Sequence, residues 1–192
     1  MKTKSRCQWC EGDDLYEQYH DEEWGVPVFD DNILFECLIL EGAQAGLSWI
    51  TVLRKREAYR QLFDGFNAKK LARYSDKKLN KILLNPAIIR NRLKVYSVRQ
   101  NAHAFLAIQQ EFGSFSDYLW ATVKNKPIQN SWPRLSDLPA FTERSTALSK
   151  DLKKRGFNFV GPTIVYAFMQ ATGMVNDHAS ECFRKRQCQK MA

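Results

Sequence analysis

The sequence predicts an all-α fold of about nine helices, and three observations support this prediction. Apolar residues recur at three- and four-residue steps along most of the chain, the spacing that gathers side chains on one face of a helix. Helix-favouring caps and breakers stand at the borders of these segments. No alternating strand pattern of useful length, internal repeat or low-complexity tract is present. We expect one helical domain over residues 1–192, as a compact body or two lobes, with a basic tail at 184–192.

Capping residues divide the first half of the chain into helices. The first 30 residues are aromatic and acidic and carry turn signals near Gly12 and Gly25. Aspartate, serine and asparagine favour helix starts because their side chains accept a free backbone N–H. The predicted helices run from Asp30 or Asp31 to Glu41, from Ser48 to Phe63 with Gly65 as the stop, from Asn67 to Tyr74, and from Ser75 to Leu83 with Asn85-Pro86 as the stop.

The same signals divide the second half. Residues 125–141 contain Pro127, Pro133 and Pro139 and are predicted to form a loop held by Trp132. The predicted helices run from Ile88 to Phe112 with Gly113 as the stop, from Ser116 through Trp120, from Thr142 to Arg155, from Pro162 to Ala171 with Gly173 after it, and from a cap at Asn176.

Composition limits the classes of partner. Twenty-nine Lys and Arg against 21 Asp and Glu give a net charge of +8 and a pI near 9.3. A basic balance favours an acidic partner, most often nucleic acid. No apolar run approaches the ~20 residues of a membrane span, and the basic residues 1–6 lack the apolar stretch of a secretory signal. We expect a cytoplasmic monomer that does not contact membranes.

Residues 38–50 contain the most informative stretch. An apolar run carries Glu41 toward the core, where a charged carboxylate is costly without a partner. Gly42 and Gly46 permit close approach of a backbone or a flat ligand, and Trp49 offers a broad aromatic face. Together these residues predict a pocket for a planar, electron-poor ligand. In the alternative interpretation, Glu41 lies at a solvated helix edge and Trp49 packs in the core.

A short turn between two predicted helices favours contact with DNA. Gly156 and Gly161 bracket an apolar pair, and a helix begins at once with Thr163 in its first turn. Backbone amides at such a helix start can bind a phosphate without reading base sequence. Lys153, Lys154 and Arg155 stand beside this turn, which looks like the helix–hairpin–helix of DNA repair proteins. A plain helix–helix connection is the alternative.

Cysteine and histidine spacing indicates a metal site. His178 and Cys182 are four residues apart, so on a helix they would share a face. With Cys7 and His20 they would form a closed Cys2His2 zinc site joining the two ends of the chain, which is structural because no open position remains. Alternatively, Cys7 and Cys10 belong to a zinc knuckle or redox pair, or the spacing arises by chance. Five cysteines is an odd count, and a cytosolic protein is not expected to form disulfides.

Several segments together resemble the DNA-3-methyladenine glycosylase I family. They cover residues 6 to 183, nearly the whole chain, in the order that the family shows. The segments are Arg6-Cys7-Gln8-Trp9, Tyr16 to Pro27 (YEQYHDEEWGVP), Leu40 to Leu53 (LEGAQAGLSWITVL), Ile88 to Lys94 (IIRNRLK), Leu148 to Gln170 (LSKDLKKRGFNFVGPTIVYAFMQ) and Val175-Asn176-Asp177-His178.

The resemblance implies a helix–hairpin–helix glycosylase fold, a structural zinc on the same four residues, and double-stranded DNA containing alkylated adenine as the partner. It implies Glu41 as the catalytic residue and a base pocket that also contains Tyr16, Tyr19, Trp24 and Trp49. Ala43 stands where some members carry glutamine, so one polar contact to the base is expected to be missing. Asp177 is assigned no catalytic role and is expected to cap the short C-terminal helix.

The implied reaction is removal of 3-methyladenine by a monofunctional glycosylase. Methylation at N3 makes the base a cation and weakens its bond to the sugar, so no strong general acid is required. By this resemblance, the enzyme is expected to extrude the nucleotide, to stack the base on Trp49 and a tyrosine, and to use Glu41 as a carboxylate. Two other hypotheses are a non-catalytic DNA-binding module with the same fold and a glycosylase for another alkylated purine.

Overall fold

A computed structural model describes residues 4–132 and 137–191, and it confirms the all-α class. The helices are α1 Asp14–Glu22, α2 Asp31–Gln44, α3 Trp49–Leu53, α4 Arg56–Leu62, α5 Ala68–Leu71, α6 Asp76–Leu83, α7 Arg92–Phe112, α8 Phe115–Ala121, α9 Glu143–Lys154, α10 Pro162–Ala171 and α11 Phe183–Gln189. Two 3-10 turns, Gln8–Cys10 and Asp64–Phe66, and two short parallel strands, β1 Ile128–Gln129 and β2 Val175–Asn176, complete the described elements.

Most of the predicted caps are confirmed. Asp30 accepts the N–H of Ile33 at the start of α2. Asn67 and Ser75 cap α5 and α6 in the same way, and Thr142 opens α9 with a reciprocal capping box. These caps were predictable because each one depends on a side chain and a backbone amide within the same turn.

Several predicted boundaries were wrong. The single helix expected from Ser48 to Phe63 is two helices, α3 and α4, separated at residues 54–55. The long helix begins at Arg92 rather than Ile88, because Asn91 caps it by accepting the N–H of Lys94. Ser114, not Ser116, caps α8; the backbone N–H of Ser116 instead bonds to Asp31 on α2.

The two ends of the chain also differ from the prediction. Helix α1 was not predicted; Asp13 caps it by accepting the N–H of Tyr16. Asn176 does not cap the last helix, because it lies in β2 and pairs with Gln129 of β1. Helix α11 follows Cys182 instead. The loop predicted over residues 125–141 contains the two-residue strand β1, and Pro133 in this loop lies outside the described residues.

Helix α2 is at the centre of the core. Leu34, Phe35, Leu38 and Leu40 are almost fully buried, and α2 packs against α3, α7, α8 and α10. A helix that is apolar on nearly every side must be surrounded by other elements. Its C-terminal half therefore carries Glu41 into the protein interior.

No helix in the described ranges is both long and apolar enough to span a bilayer.

Gly173 provides a test of how tightly the N-terminal segment packs on the end of α10. Its φ is +68°, and a Cβ added there would lie 2.4 Å from backbone atoms of Val26 and Pro27. We expect Gly173→Ala to lower the free energy of unfolding by roughly 3 kcal/mol or more, from backbone strain and steric overlap. Gly12→Ala is the matched control, since Gly12 has φ +88° but no atom within 4 Å. Its expected loss is about 1 kcal/mol, and equal losses for both variants in urea denaturation would contradict this packing.

Candidate active site

One pocket of about 480 Å³ contains the predicted pocket residues. It lies among the N-terminal segment, α1, α2, α3 and α10, with the segment after β2 closing one side. Six aromatic residues line it: Trp9, Tyr16, Tyr19, Trp24, Trp49 and Trp132. Glu41 lines the same pocket, so the carboxyl group and the aromatic faces meet as the sequence predicted. The alternative, with Glu41 at a solvated helix edge, is wrong.

Glu41 is a buried carboxyl group without a hydrogen-bond partner for one of its oxygens. The residue is 4% exposed, and its Oε2 has no partner in the described structure. Burial raises the pKa of Glu41 to about 8, because a low-dielectric site disfavours the charged form. At neutral pH the ligand-free pocket therefore holds this carboxyl group mainly protonated.

Trp49 and Tyr19 form the aromatic wall beside Glu41. Their ring centroids are 5.5 Å apart and the ring planes are inclined by 46°. The buried indole Nε1 of Trp49 has no acceptor in the described structure. Burial and the nearby Glu41 raise the pKa of Tyr19, which keeps its hydroxyl neutral. The indole N–H and the Glu41 oxygen are a donor and an acceptor without partners among the described protein groups, so the pocket offers both to a polar planar ligand.

Trp9 belongs to the pocket and was not predicted as a site residue. Its ring centroid lies 4.8 Å from that of Tyr16 and 5.1 Å from that of Trp24. Trp24 also stacks on His20, with planes inclined by 18°. Trp9 lies between Cys7 and Cys10 in the sequence, and this position could have indicated that it belongs to the site. Its contact with Tyr16 depends on α1, which the sequence analysis did not predict.

Asp177 lies in the pocket wall and does not cap the C-terminal helix, so that expectation was wrong. It is 6% exposed and accepts four hydrogen bonds, from Tyr166, Gln170, Asn130 and Trp132 at 2.6 to 2.9 Å. The bond from the Trp132 indole attaches the proline-containing loop to the pocket, as the predicted role of Trp132 required. Because both carboxylate oxygens are occupied, Asp177 holds this wall together.

Ala43 lies outside the pocket. It borders a separate small space shared with Lys94 and Phe159, and it is 3% exposed. Ala43 itself therefore contributes no surface to the pocket, and the loss of a polar contact to the base at this position stays a prediction. Its neighbour Gly42 permits the hairpin turn to approach α2, since a Cβ at Gly42 would lie 3.0 Å from the Cβ of Phe159.

The four predicted metal ligands converge. Cys7, His20, His178 and Cys182 are buried, and their ligand atoms all lie within 4.8 Å of one another. The separations are 3.6 Å from Cys7 Sγ and from Cys182 Sγ to His178 Nδ1, and 3.3 Å from Cys182 Sγ to His20 Nε2. Sulfur and nitrogen ligands of one tetrahedral zinc ion lie about 3.6 Å apart. This donor set could therefore hold a metal ion.

In each of the two histidines, the ring nitrogen that faces away from the thiols has its own hydrogen-bond partner. His20 Nδ1 lies 2.9 Å from Asp21, which Arg6 also binds. His178 Nε2 lies 3.0 Å from the carbonyl oxygen of Trp24. These bonds leave His20 Nε2 and His178 Nδ1 facing the thiols, the arrangement typical of histidine metal ligands. The hydrogen bond between the two thiols raises the pKa of Cys7 and lowers that of Cys182.

His178 and Cys182 do not share a helix face, which corrects the sequence interpretation. Both lie in the irregular segment between β2 and α11. The convergence instead depends on residues 178–182 turning back toward the N-terminal segment, where the N–H of Phe183 bonds to the carbonyl of Ser5. Cys10 is outside the cluster, and its thiol donates to the carbonyl of Cys7.

The predicted hairpin connects α9 and α10, which pack together. Gly156 has φ +95°, Phe157 and Val160 are buried, and Thr163 is exposed in the first turn of α10. Lys153 and Lys154 are exposed. Arg155 instead bonds Asp151 and Glu111, each at 2.7 Å, so its guanidinium is committed to the protein.

Comparisons with known proteins identify the family of the chain. The family model for methyladenine glycosylase matches residues 9–185. DNA-3-methyladenine glycosylase of Haemophilus influenzae is 49% identical over 178 residues, covering 93% of this chain and 96% of that protein. DNA-3-methyladenine glycosylase 1 of Escherichia coli is 49% identical over 177 residues, covering 92% and 95%.

A solved structure extends the likeness to three dimensions. It describes 3-methyladenine recognition by 3-methyladenine DNA glycosylase I from Staphylococcus aureus. It superimposes with a TM-score of 0.91 at 38% identity, covering 94% of this chain and 96% of that one.

The pKa of Glu41 predicts how stability depends on pH. In the unfolded chain the pKa is near the ordinary 4.5 and in the folded protein about 8, so the folded state binds more protons between these values. Stability should therefore fall as pH rises through this window, by roughly 5 kcal/mol in total. Glu41→Gln removes this dependence and should become progressively more stable than wild type toward pH 8. Denaturant titrations at several pH values measure it, with exposed Glu57→Gln following wild type. Parallel curves for Glu41→Gln and wild type would contradict the raised pKa.

Proposed function

The chain belongs to the methyladenine glycosylase family and excises 3-methyladenine from alkylated DNA, and we propose that Glu41, Tyr19 and Trp49 receive the extruded base. The observation that carries this assignment is the buried Glu41 carboxyl group, unpartnered at Oε2, in a pocket walled by aromatic rings. A cationic planar base meets both needs of this pocket, since it supplies a positive charge to the carboxyl group and π surface to the rings.

Ionisation of Glu41 accompanies capture of the base. The carboxyl group is mainly protonated in the empty pocket because its pKa is about 8. A nearby positive charge favours the ionised form, so the arriving cation displaces the carboxyl proton to solvent. The resulting carboxylate accepts an N–H of the base. The cation on the indole face of Trp49 adds about 0.5–2 kcal/mol.

Hydrolysis then needs little further catalysis. The C1′–N9 bond breaks and its electron pair returns to the base, which leaves as neutral 3-methyladenine. A water oxygen bonds to C1′ and loses a proton to solvent. Unmodified adenine carries no charge, so it would leave Glu41 protonated and gain no ion pair. The pocket thus favours the alkylated base by charge, and the remaining aromatic residues Trp9, Tyr16 and Trp24 complete the enclosure.

The turn between α9 and α10 supplies the DNA backbone contact. Pro162 has no N–H, and the amides of Thr163 and Ile164 in the first turn have no intrahelical acceptor. Such amides are suited to a phosphate oxygen, and Gly161 leaves open space beside them. Lys153 and Lys154 add positive charge at the surface. Arg155 shapes the turn through Asp151 and Glu111, and Gly156 supplies its left-handed residue.

The four-residue cluster holds a structural zinc ion in this proposal. Cys7, His20, His178 and Cys182 would hold the ion as two thiolates and two imidazoles, and a closed set of four such ligands would give it a structural rather than a catalytic role. The donor separations and the committed outer nitrogens of both histidines support zinc as the occupant. The ion would join the N-terminal segment to residues 178–182, next to the Trp24 wall of the pocket.

Glu41→Gln tests the role of the carboxylate in base removal. Release of 3-methyladenine should fall by roughly two to three orders of magnitude, as when one charge-stabilising group is removed from a preorganised site. Chromatography of bases released from methylated DNA measures the rate. Glu36→Gln is the control, because Glu36 lies on the same helix, pairs with Arg60 and does not line the pocket. A wild-type rate in folded Glu41→Gln would exclude the proposed role.

Metal removal tests the zinc site. Purified protein should contain about one zinc per chain by elemental analysis, and chelation should lower the melting temperature because the two chain segments lose their link. Cys182→Ser should lose the metal, whereas Cys10→Ser should keep it, since Cys10 lies outside the cluster. An unchanged melting temperature in metal-free protein would count against the structural zinc.

A further inference from the structure

We propose that an open groove beside the turn at residues 45–48 binds DNA phosphates at a second site, separate from the hairpin. The groove has a volume of about 680 Å³, and its lining includes Leu47, Lys55, Pro86, Ile88, Arg90 and Arg92. This inference rests on the proposed function and names a further part of the surface that holds the substrate.

The arginines of the groove are not neutralised by the protein. Arg90 is exposed and has no ion-pair partner in the described ranges. Among the described residues, Arg92 contacts neutral groups alone: it donates to the Asn80 side chain and packs over the ring of Tyr96. Lys55 donates to the carbonyl of Pro86. Six arginines elsewhere do form ion pairs with carboxylates: Arg6, Arg54, Arg56, Arg60, Arg99 and Arg155. The groove therefore retains positive charge for an external anion.

The groove is rigidly connected to the base pocket. Gln44 and Trp49 line the pocket, and Leu47 between them lines the groove. Lys94, in the first turn of α7, donates to the carbonyls of Ala43 and Ala45 at 2.8 and 2.7 Å. These bonds fix the start of α7, which carries Arg92, against the turn that joins α2 to α3. Because Gln44 and Trp49 flank this turn and line the pocket, we expect a DNA strand that delivers a base to the pocket to pass close to the turn.

Helix α7 also relates the groove to the hairpin. The side chain of Asn101 accepts the backbone N–H of the hairpin residue Asn158 at 2.8 Å and donates to the carbonyl oxygen of Asn158 at 3.1 Å. Arg92 and Asn101 are nine residues apart, about 14 Å along the helix. The groove and the hairpin therefore lie along one helix, at a separation that a short DNA duplex can span.

An acidic protein is the rival occupant of the groove. Leu84 and Leu93 lie next in sequence to groove residues and are 77% and 71% exposed, as in many protein interfaces. The unpaired arginines and the direct connection to the pocket favour DNA over this rival. A phosphate contact also makes a quantitative prediction, because each one lost reduces the salt dependence of binding.

The test uses full-length Arg90→Gln/Arg92→Gln and a 20-base-pair duplex, with binding followed by fluorescence anisotropy between 50 and 300 mM salt. The slope of log K against log salt should become shallower by about 1 to 2, with equal weakening for methylated and unmethylated duplexes. Lys124→Gln is the control, because Lys124 is exposed and follows α8. Helix α8 bonds to Asp31 at the start of α2, the end opposite to the groove. The slope of this control variant should match wild type.

A wild-type slope in the double variant would overturn the second phosphate site. The same result combined with lost binding to polyglutamate would assign the groove to an acidic protein instead. Base release from methylated DNA by the wild-type protein is measured in parallel. If the wild type releases 3-methyladenine but the slopes agree, only the groove proposal fails; if it releases none, the proposed function fails.

Discussion

The structure depends on one unfavourable placement, a carboxyl group buried at Glu41 with an unpartnered oxygen. Desolvation of a charged carboxylate costs several kcal/mol, and the ligand-free protein avoids most of this cost by keeping the group protonated. The apolar surroundings of α2 make the placement stable enough to fold. An ion pair with a cationic base compensates for the solvation that the Glu41 carboxylate loses. The same burial therefore favours an alkylated base over a neutral one.

The surrounding elements hold this group in place from several directions. Lys94 fixes the turn after α2, and the hairpin residue Phe159 packs against Gly42, next to Glu41. Trp24 lies between the pocket and the Cys/His cluster, where it stacks on His20. The hairpin and the base pocket therefore meet at the C-terminal half of α2, and Trp24 connects the pocket to the proposed metal site. A change in any of them is expected to affect how a base is held.

What the sequence could predict follows from the range of the interactions involved. Caps at Asp30, Asn67, Ser75 and Thr142 are local, and each was predicted correctly. Ser116 and Asn176 were assigned wrongly because distant partners, Asp31 and the strand β1, determine their structure. The four residues of the Cys/His cluster were identified from spacing and family resemblance, although their helical geometry was wrong. Asp177 was misread because its four donors come from separate segments of the chain.

The most direct test of the central claim is the number of protons released when the base is captured. The ligand is a duplex carrying 3-methyladenine on a 2′-fluorinated sugar, which keeps the base cationic and uncleaved, with an unmethylated duplex as reference. Calorimetry at pH 7 in two buffers of different ionisation enthalpy counts the protons. A Glu41 pKa of about 8 in the empty pocket predicts release of about 0.9 proton more for the methylated duplex, and none in Glu41→Gln. Equal proton counts for the two duplexes with wild-type protein would contradict capture of a cation by a carboxyl group that ionises on binding.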